Sequence, residues 1–219
     1  MTGGGQLGLI VHVLFEGAIM TAVVTAGGFV VSVALGLVSA GFATSRSALL
    51  RTISYIYVEV FRAVPILTQL FIIYFGLGSI GIRLSPIPAA LIGFGLNGGA
   101  NLTELFRSGI GAIDAGQTEA ALSIGMTRLM AMRHIVLPQA VRIVLPSLTN
   151  FSIGLLKDTS LASAVAAPEL SFNANMLVER TFRSTEIYIA LALFYLAMSL
   201  PLVALARRLE HYAKRGGHA

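Results

Sequence analysis

Residues 117–138 read Gln-Thr-Glu-Ala-Ala-Leu-Ser-Ile-Gly-Met-Thr-Arg-Leu-Met-Ala-Met-Arg-His-Ile-Val-Leu-Pro. This water-compatible stretch interrupts a chain that is otherwise apolar. Its pattern predicts a short helix from Thr118 to Ile124, a stop at Gly125 and a restart behind Thr127. Glycine at the end of a helical run supplies the left-handed conformation that other residues adopt only at a cost. Threonine before a new helical run is a suitable N-cap. A bent helix-turn-helix of this kind at a membrane surface offers another protein something to grip.

Outside that stretch the composition decides the class. Of the 219 residues 56% are hydrophobic and only 11% charged, and the mean hydropathy is +0.83. A soluble domain carries about 25% charged residues. Apolar runs of about 20 residues recur, the length a helix needs to cross a bilayer. Alternating segments of about ten residues, the mark of a membrane β-barrel, are absent. An all-α, polytopic membrane protein is expected. The absence of cysteine excludes disulfides and thiolate metal sites, and the four histidines are scattered. A formal charge of +5 reports topology in such a chain rather than nucleic-acid binding. Residues 1–9 hold no Lys or Arg, so no basic signal-peptide start is expected and the first span serves as its own insertion signal.

Five transmembrane helices are predicted, over residues 18–43, 53–77, 86–106, 135–156 and 185–206. Residues 7–17 carry His12 and Glu16 and read as an interfacial lead-in. Arg46, Arg51, Arg107, Arg128, Arg133, Arg142, Arg207, Arg208, Lys214 and Arg215 fall on one side, against Arg83, Lys157, Arg180 and Arg183 on the other. The richer side is cytoplasmic, which puts the N-terminus outside and the C-terminus in the cytoplasm. The chain then reads as one transmembrane domain over 1–219, with a cytoplasmic loop at about 108–134 and an external segment at about 157–184.

Small residues crowd the spans, and polar ones lie inside them: Asn97, Asn101, Asn150, Glu59 and Arg62. Each is costly against lipid, so each faces protein or a watery path. Pro138, Pro146 and Pro201 are expected to bend their helices. Glu59 with Arg62, and Glu104 with Arg107, have i,i+3 spacing and are expected to pair.

The run Glu119-Ala120-Ala121, then Gly125, then Ile135-Val136-Leu137-Pro138 resembles the EAA loop of ABC-importer permeases. Phe61-Arg62-Ala63-Val64-Pro65, Gln69-Leu70-Phe71 and Tyr74-Phe75-Gly76 narrow the resemblance to the polar amino acid permease family. Leu96-Asn97-Gly98-Gly99-Ala100, Glu104, Arg107, Gly116-Gln117, Pro138-Gln139-Ala140, Arg142 and Lys157-Asp158-Thr159-Ser160-Leu161 continue it, in order, over about residues 18–210. The chain departs from the family at Ala63-Val64 and at Asn101, where a Tyr is usual.

The resemblance implies a type I ABC-importer permease fold and a subunit that hydrolyses nothing. Consistently, there is no GxxxxGK[ST] loop for nucleotide phosphates. ATP and Mg²⁺ would be bound by a cytoplasmic ABC ATPase dimer, whose closure pushes on the helix Thr118 to Ile124. In that role Ala120, Ala121 and Ile124 enter a groove on the ATPase, Glu119 meets a basic group there, and Gly125 sets the angle between the two helices. An ordinary surface turn is the plainer alternative.

For the solute path the candidates are Asn97, Asn101 and Asn150, with Lys157 holding a carboxylate and Glu169 an ammonium or cationic side chain. Helix–helix hydrogen bonding is the alternative for the amides, and pairing with Asp158 or snorkelling for Lys157. Asp158 or Thr159 is expected to cap a short external gate helix ending at Pro168. The resemblance further implies a bacterial inner-membrane location, an extracytoplasmic solute-binding protein and a second permease subunit, identical or paralogous. The cargo would be a polar amino acid, an opine or a compatible solute. A secondary transporter would show an inverted repeat and an intramembrane acid for ion coupling. A scaffold would need neither gate nor amides, and an enzyme would need a nucleophile–base or metal set; none of these marks is visible.

Overall fold

The computed structural model describes residues 3–215, and the described residues are all helix, turn and loop, without strands. Helix α1 spans Gly3–Ala43, 41 residues long. The expected lead-in at 7–17 is therefore the first part of the same helix. His12 and Glu16 sit one turn apart on its exposed side, 3.4 Å from each other, so neither polar side chain has to enter a core. After a short link come α2 (Ala48–Ala63) and α3 (Ile66–Ser79), which meet at 103°. The predicted second span is thus a broken one. Val64 is extended, at φ −89° and ψ 130°, as a residue before proline prefers. Pro65 then restarts the chain in a new direction.

Helix α4 (Pro86–Gly111) follows, with Pro86 in its first turn, where a missing N–H costs nothing. Helix α5 (Ala115–Ser123) and a single turn over Arg128–Ala131 form the predicted helix-turn-helix. A π-helical turn, Met132–Val136, leads into α6 (Leu137–Asp158). Then come a 3₁₀ segment (Thr159–Val165), α7 (Leu170–Thr181) and α8 (Ser184–Arg215). The prolines expected to bend helices behave unequally. Pro138 lies in the first turn of α6, while Pro146 and Pro201 are inside α6 and α8. The large bend is at Pro65, which the sequence reading passed through as straight.

By length and composition α1 (Gly8–Ala43) and α8 (Ser184–Tyr212) can cross a membrane, and the bent α2–α3 pair makes a third span if counted as one. Helices α4 and α6, over the expected third and fourth spans, fall short of that apolarity. Asn97, Asn101, Glu104 and Arg107 in α4, and Arg142, Asn150 and Lys157 in α6, lower it.

Helix α4 is the centre of the molecule. Its buried face includes Phe94, Leu102 and Phe106 together with Gly93, Gly95, Gly98 and Gly99. The glycines let α1 lie almost backbone to backbone against it: a Cβ on Gly36 would stand 2.8 Å from the Leu102 Cβ, and one on Gly99 2.7 Å from the Leu35 Cβ. Close approach through small residues is how helices associate where lipid removes the hydrophobic drive. Helix α8, by contrast, buries only 6% of its most apolar window. One face of α8 packs through Phe194, Tyr195 and Met198, and its remaining apolar surface suits a lipid surround.

Candidate functional site

The helix-turn-helix forms from local chemistry alone. Asp114 caps α5, its carboxylate accepting from the Gly116 N–H at 2.7 Å. The helix ends in a Schellman motif. Gly125 takes φ +86°, its N–H donates to the Leu122 carbonyl at 3.0 Å, and the Met126 N–H reaches back to Ala121 at 3.1 Å. Thr127 then caps the next turn, its hydroxyl accepting from the Met130 N–H at 3.3 Å. The start at Ala115 is three residues earlier than expected because Asp114 is the capping residue.

Not every residue of this segment faces outward. Glu119, Ala120, Ile124 and Gly125 are exposed, but Ala121 is buried, on the side of α5 that packs against the π-helical turn. Ala121 is therefore closed off by its own chain and is not on the outward face with Ala120 and Ile124. That outward face is unusually apolar for a polar loop: Ile124 is 79% and Leu129 77% exposed. Exposed apolar side chains gathered on one turn mark a contact surface.

The α2–α3 break is held by amides. In a continuous helix the Phe61 carbonyl would accept from the N–H of residue 65, and proline has none. The Gln69 Nε2 donates instead to both Phe61 O and Val64 O, each at 2.8 Å. Asn97 Nδ2, from α4, donates to the same Phe61 oxygen at 2.8 Å. Tyr57 adds a bond from its hydroxyl to Leu96 O at 2.7 Å. Gln69 is 5% exposed and its Oε1 has no partner. Asn101 Nδ2 donates to Asn97 O and Oδ1, so these two amides form a chain along α4, and Asn150 is exposed on α6.

A small cavity of about 110 Å³ lies beside Asn97, lined also by Ile66, Gly98, Phe151 and Asp158. The sequence reading weighed Asp158 only as a cap or as a partner for Lys157. Here it makes no capping bond and instead brings a carboxylate to the cavity that contains Asn97. Lys157 is exposed and forms no ion pair among the described residues.

Glu169 is not at a mouth. It is fully buried and caps α7, accepting from the Ser171 N–H at 2.9 Å and the Phe172 N–H at 2.7 Å. Tyr195 of α8 donates to it at 3.1 Å and Thr21 of α1 at 3.4 Å. Burial pushes this carboxyl above its ordinary range, and the four hydrogen bonds recover only part of the shift. The carboxylate expected to receive a cation thus ties three helices together. The chain signal for this was Glu169 directly after Pro168, one position before an apolar helix start.

Of the two expected intrahelical pairs one forms. Arg107 holds Glu104 in a fork, with Nε and Nη2 at 3.2 and 2.6 Å. Glu59 and Arg62 are in no ion pair or side-chain hydrogen bond among the described residues. Both line a larger cavity, about 340 Å³, with Arg51, Glu104 and Arg107.

The sequence profile of the binding-protein-dependent transport system inner membrane component matches residues 32–215. The chain is 46% identical over 154 residues to a probable amino-acid ABC transporter permease protein, YckA of Bacillus subtilis, covering 70% of this chain and 68% of that one. It is 35% identical to the glutamine transport system permease protein GlnP of Escherichia coli, over 93% of this chain and 94% of the relative. A crystal structure of an amino acid ABC transporter with histidines superimposes with a TM-score of 0.90 at 32% identity, over 98% of this chain and 99% of that one. The inward-facing methionine ABC transporter MetNI shares the fold, with a TM-score of 0.71 at 20% identity over 97% of this chain and 99% of that one. With a buried glycine seam, a broken helix clamped by amides and an apolar turn outside them, the chain belongs to the binding-protein-dependent inner membrane components of ABC transport systems.

Proposed function

We propose that this chain is the permease subunit of an ATP-driven, binding-protein-dependent importer for a polar amino acid or a related solute, an opine or compatible solute included. The observation that carries this reading is the outward-facing apolar turn at Ile124 and Leu129 on a chain that has no nucleotide-binding loop of its own. Such a turn transmits force only if something docks on it. A cytoplasmic ABC ATPase dimer, binding ATP and Mg²⁺, fits that need. Glu119, Ala120, Ile124 and Gly125 form the outward part of the coupling element, and buried Ala121 keys it to the body.

On this reading residues 1–219 are one transmembrane permease domain with five spans: α1, the bent α2–α3 pair, α4, α6 and α8. The N-terminus is outside the bacterial inner membrane and the C-terminus inside. A second permease subunit, identical or paralogous, completes the path, because the cavity beside Asn97, about 110 Å³, is small for a whole amino acid. Asn97, Asn101 and Asn150 belong to the wall of that path, with Asp158 beside them. Lys157 stands at the external gate, 157–184, where a solute-binding protein delivers the cargo. Glu169 acts there as the gate's anchor rather than as a ligand.

The test is copurification followed by reconstitution. Affinity-tagged chain solubilised from its native membrane is expected to bring down an ABC ATPase. In liposomes the complex with its solute receptor is expected to accumulate at least one radiolabelled L-amino acid only when ATP is supplied on the ATPase side. Recovery of the intact chain with no ATPase, or uptake driven by an ion gradient alone, would overturn the reading.

A further inference from the structure

A cavity of about 510 Å³ opens between α1, α6 and α8, and it shares no residue with the cavity beside Asn97. Ala22 and Ala26, one turn apart on α1 and both exposed, give it depth, since an alanine leaves most of a side chain's room empty. Met198, Pro201, Leu202 and Leu205 form its wall on α8. The three hydroxyls of the lining are spent inside their own helices. Thr25 donates to Thr21 O at 2.7 Å, Thr149 to Leu145 O at 3.1 Å and Ser152 to Thr149 O at 2.7 Å. Every other lining side chain is apolar. A polar solute finds no free donor there; an alkyl chain needs none.

The α8 wall says where such a chain would be tethered. Met198, Pro201 and Leu205 lie at i, i+3 and i+7, one stripe of the helix. The next position of that stripe is Arg208, with Arg207 beside it. Both arginines are exposed, and among the described residues neither forms an ion pair, with Glu210 or with any other acid. From Met198 to Leu205 the helix rises about 10 Å, which fits within the roughly 15 Å of hydrocarbon in one leaflet. The dry groove therefore ends, one turn further on, in two cations. Arginine forks match phosphate oxygens, and basic residues at the end of a membrane helix attract anionic headgroups.

We propose that the groove between α1, α6 and α8 binds an anionic phospholipid from the leaflet at the C-terminal end of α8. One acyl chain lies in the groove and the phosphate rests on Arg207 and Arg208. An amphiphile supplies an apolar chain and a negative group in the order and at the spacing that this surface presents. A helix of another protein laid in the groove would cover the apolar walls but bring no phosphate to the arginines. The site lies apart from the solute path, so it stands whether or not the transport reading does. A chain bound there joins α8 to α1 and α6 where no side chain fills the gap.

The test is photolabelling of the complex, purified from its native membrane and reconstituted in phosphatidylcholine vesicles. The probe is phosphatidylglycerol with a diazirine near the end of one acyl chain, and phosphatidylcholine with the same label is the control. After irradiation, adducts are located by peptide mass spectrometry. They are expected on residues 22–29 of α1 and 198–205 of α8, at least fivefold more abundant with phosphatidylglycerol than with phosphatidylcholine. A26F, which fills the groove from an exposed position, is expected to lower the α8 adducts at least fivefold with either lipid. The double variant R207Q/R208Q is expected to bring phosphatidylglycerol labelling down to the phosphatidylcholine level.

Equal labelling of the wild type by the two lipids overturns the proposal, since the surface is then merely greasy. Absence of adducts from the groove also overturns it, and means that protein covers this face in the complex. Unchanged adducts in A26F, or a headgroup preference that survives in R207Q/R208Q, would do the same. Should a variant fail to assemble, the comparison of the two lipids on the wild type decides by itself.

Discussion

Glu169 shows how one side chain can look like a ligand in sequence and be a fastener in structure. Two backbone N–H groups, a tyrosine and a threonine converge on it with no solvent contact. Replacing it by alanine strands several buried donors at about 1–3 kcal/mol each at most. The E169A variant is therefore expected to lose on the order of 3 kcal/mol, read as a lower thermal midpoint in detergent, and E169Q much less. The pH dependence has a definite sign. Burial raises the folded-state carboxyl above its unfolded value. Its favourable contribution is full below the unfolded value and is lost as pH rises through the folded one. The wild type should thus lose ground to E169Q as pH rises from the acidic side toward neutrality. A gap that widens in the opposite direction would contradict the assignment.

At the scale of elements, the helix-turn-helix over Ala115–Ala131 was almost wholly legible, because its signals are local. Gly125, Thr127 and the alternation of small and apolar residues need no tertiary partner to act. A Cβ on Gly125 would meet nothing, so strain there comes only from φ +86°. Gly125→Ala should cost about 1–2 kcal/mol of local stability, with uptake reduced and not abolished. Gly125→Pro cannot adopt that φ and also loses the N–H bonded to Leu122, so uptake should vanish while the chain stays in the membrane fraction. Full uptake by the proline variant would remove the segment from coupling. The α2–α3 break was not legible, although Pro65 was in plain view. Whether a proline kinks or breaks a helix depends on what takes the freed carbonyl, and here the takers come from residues 69 and 97. Gln69→Leu should cost about 1–3 kcal/mol. Combined with Asn97→Leu, it should cost more than the sum, since Phe61 O then has no donor left. Thermal midpoints of the two single variants and the double variant settle it.

Over the whole molecule, composition and family resemblance placed helix at each expected span, but passed over α7 and the α2–α3 break and misjudged the ends. Helix α1 runs fifteen residues further toward the N-terminus than its predicted span, since polar side chains such as His12 and Glu16 cost little on an exposed face. The site was less legible than the fold, because Ala121 and Glu169 change meaning with burial, which no spacing rule supplies. The orientation is testable because the chain has no cysteine. Single cysteines at Ser45 and Ser123 should react with a membrane-impermeant maleimide only from the cytoplasmic side. Cysteines at Ser85 and Asn175 should react only from outside. Labelling of Ser85 and Ser123 cysteines from the same side would exclude a membrane-spanning α4.

The carbonyl of Phe61 has a consequence for how this machine moves. It is gripped at once by its own strand of chain, through Gln69, and by the central helix, through Asn97. A joint pinned at both leaves cannot swing freely. Any change in the angle at Pro65 either drags the middle of α4 along or lets go of a bond that has no spare donor nearby. Helices α2 and α3 are thereby geared to α4, and a distance probe spanning residues 61 to 97 would read a single degree of freedom where the helix count suggests two.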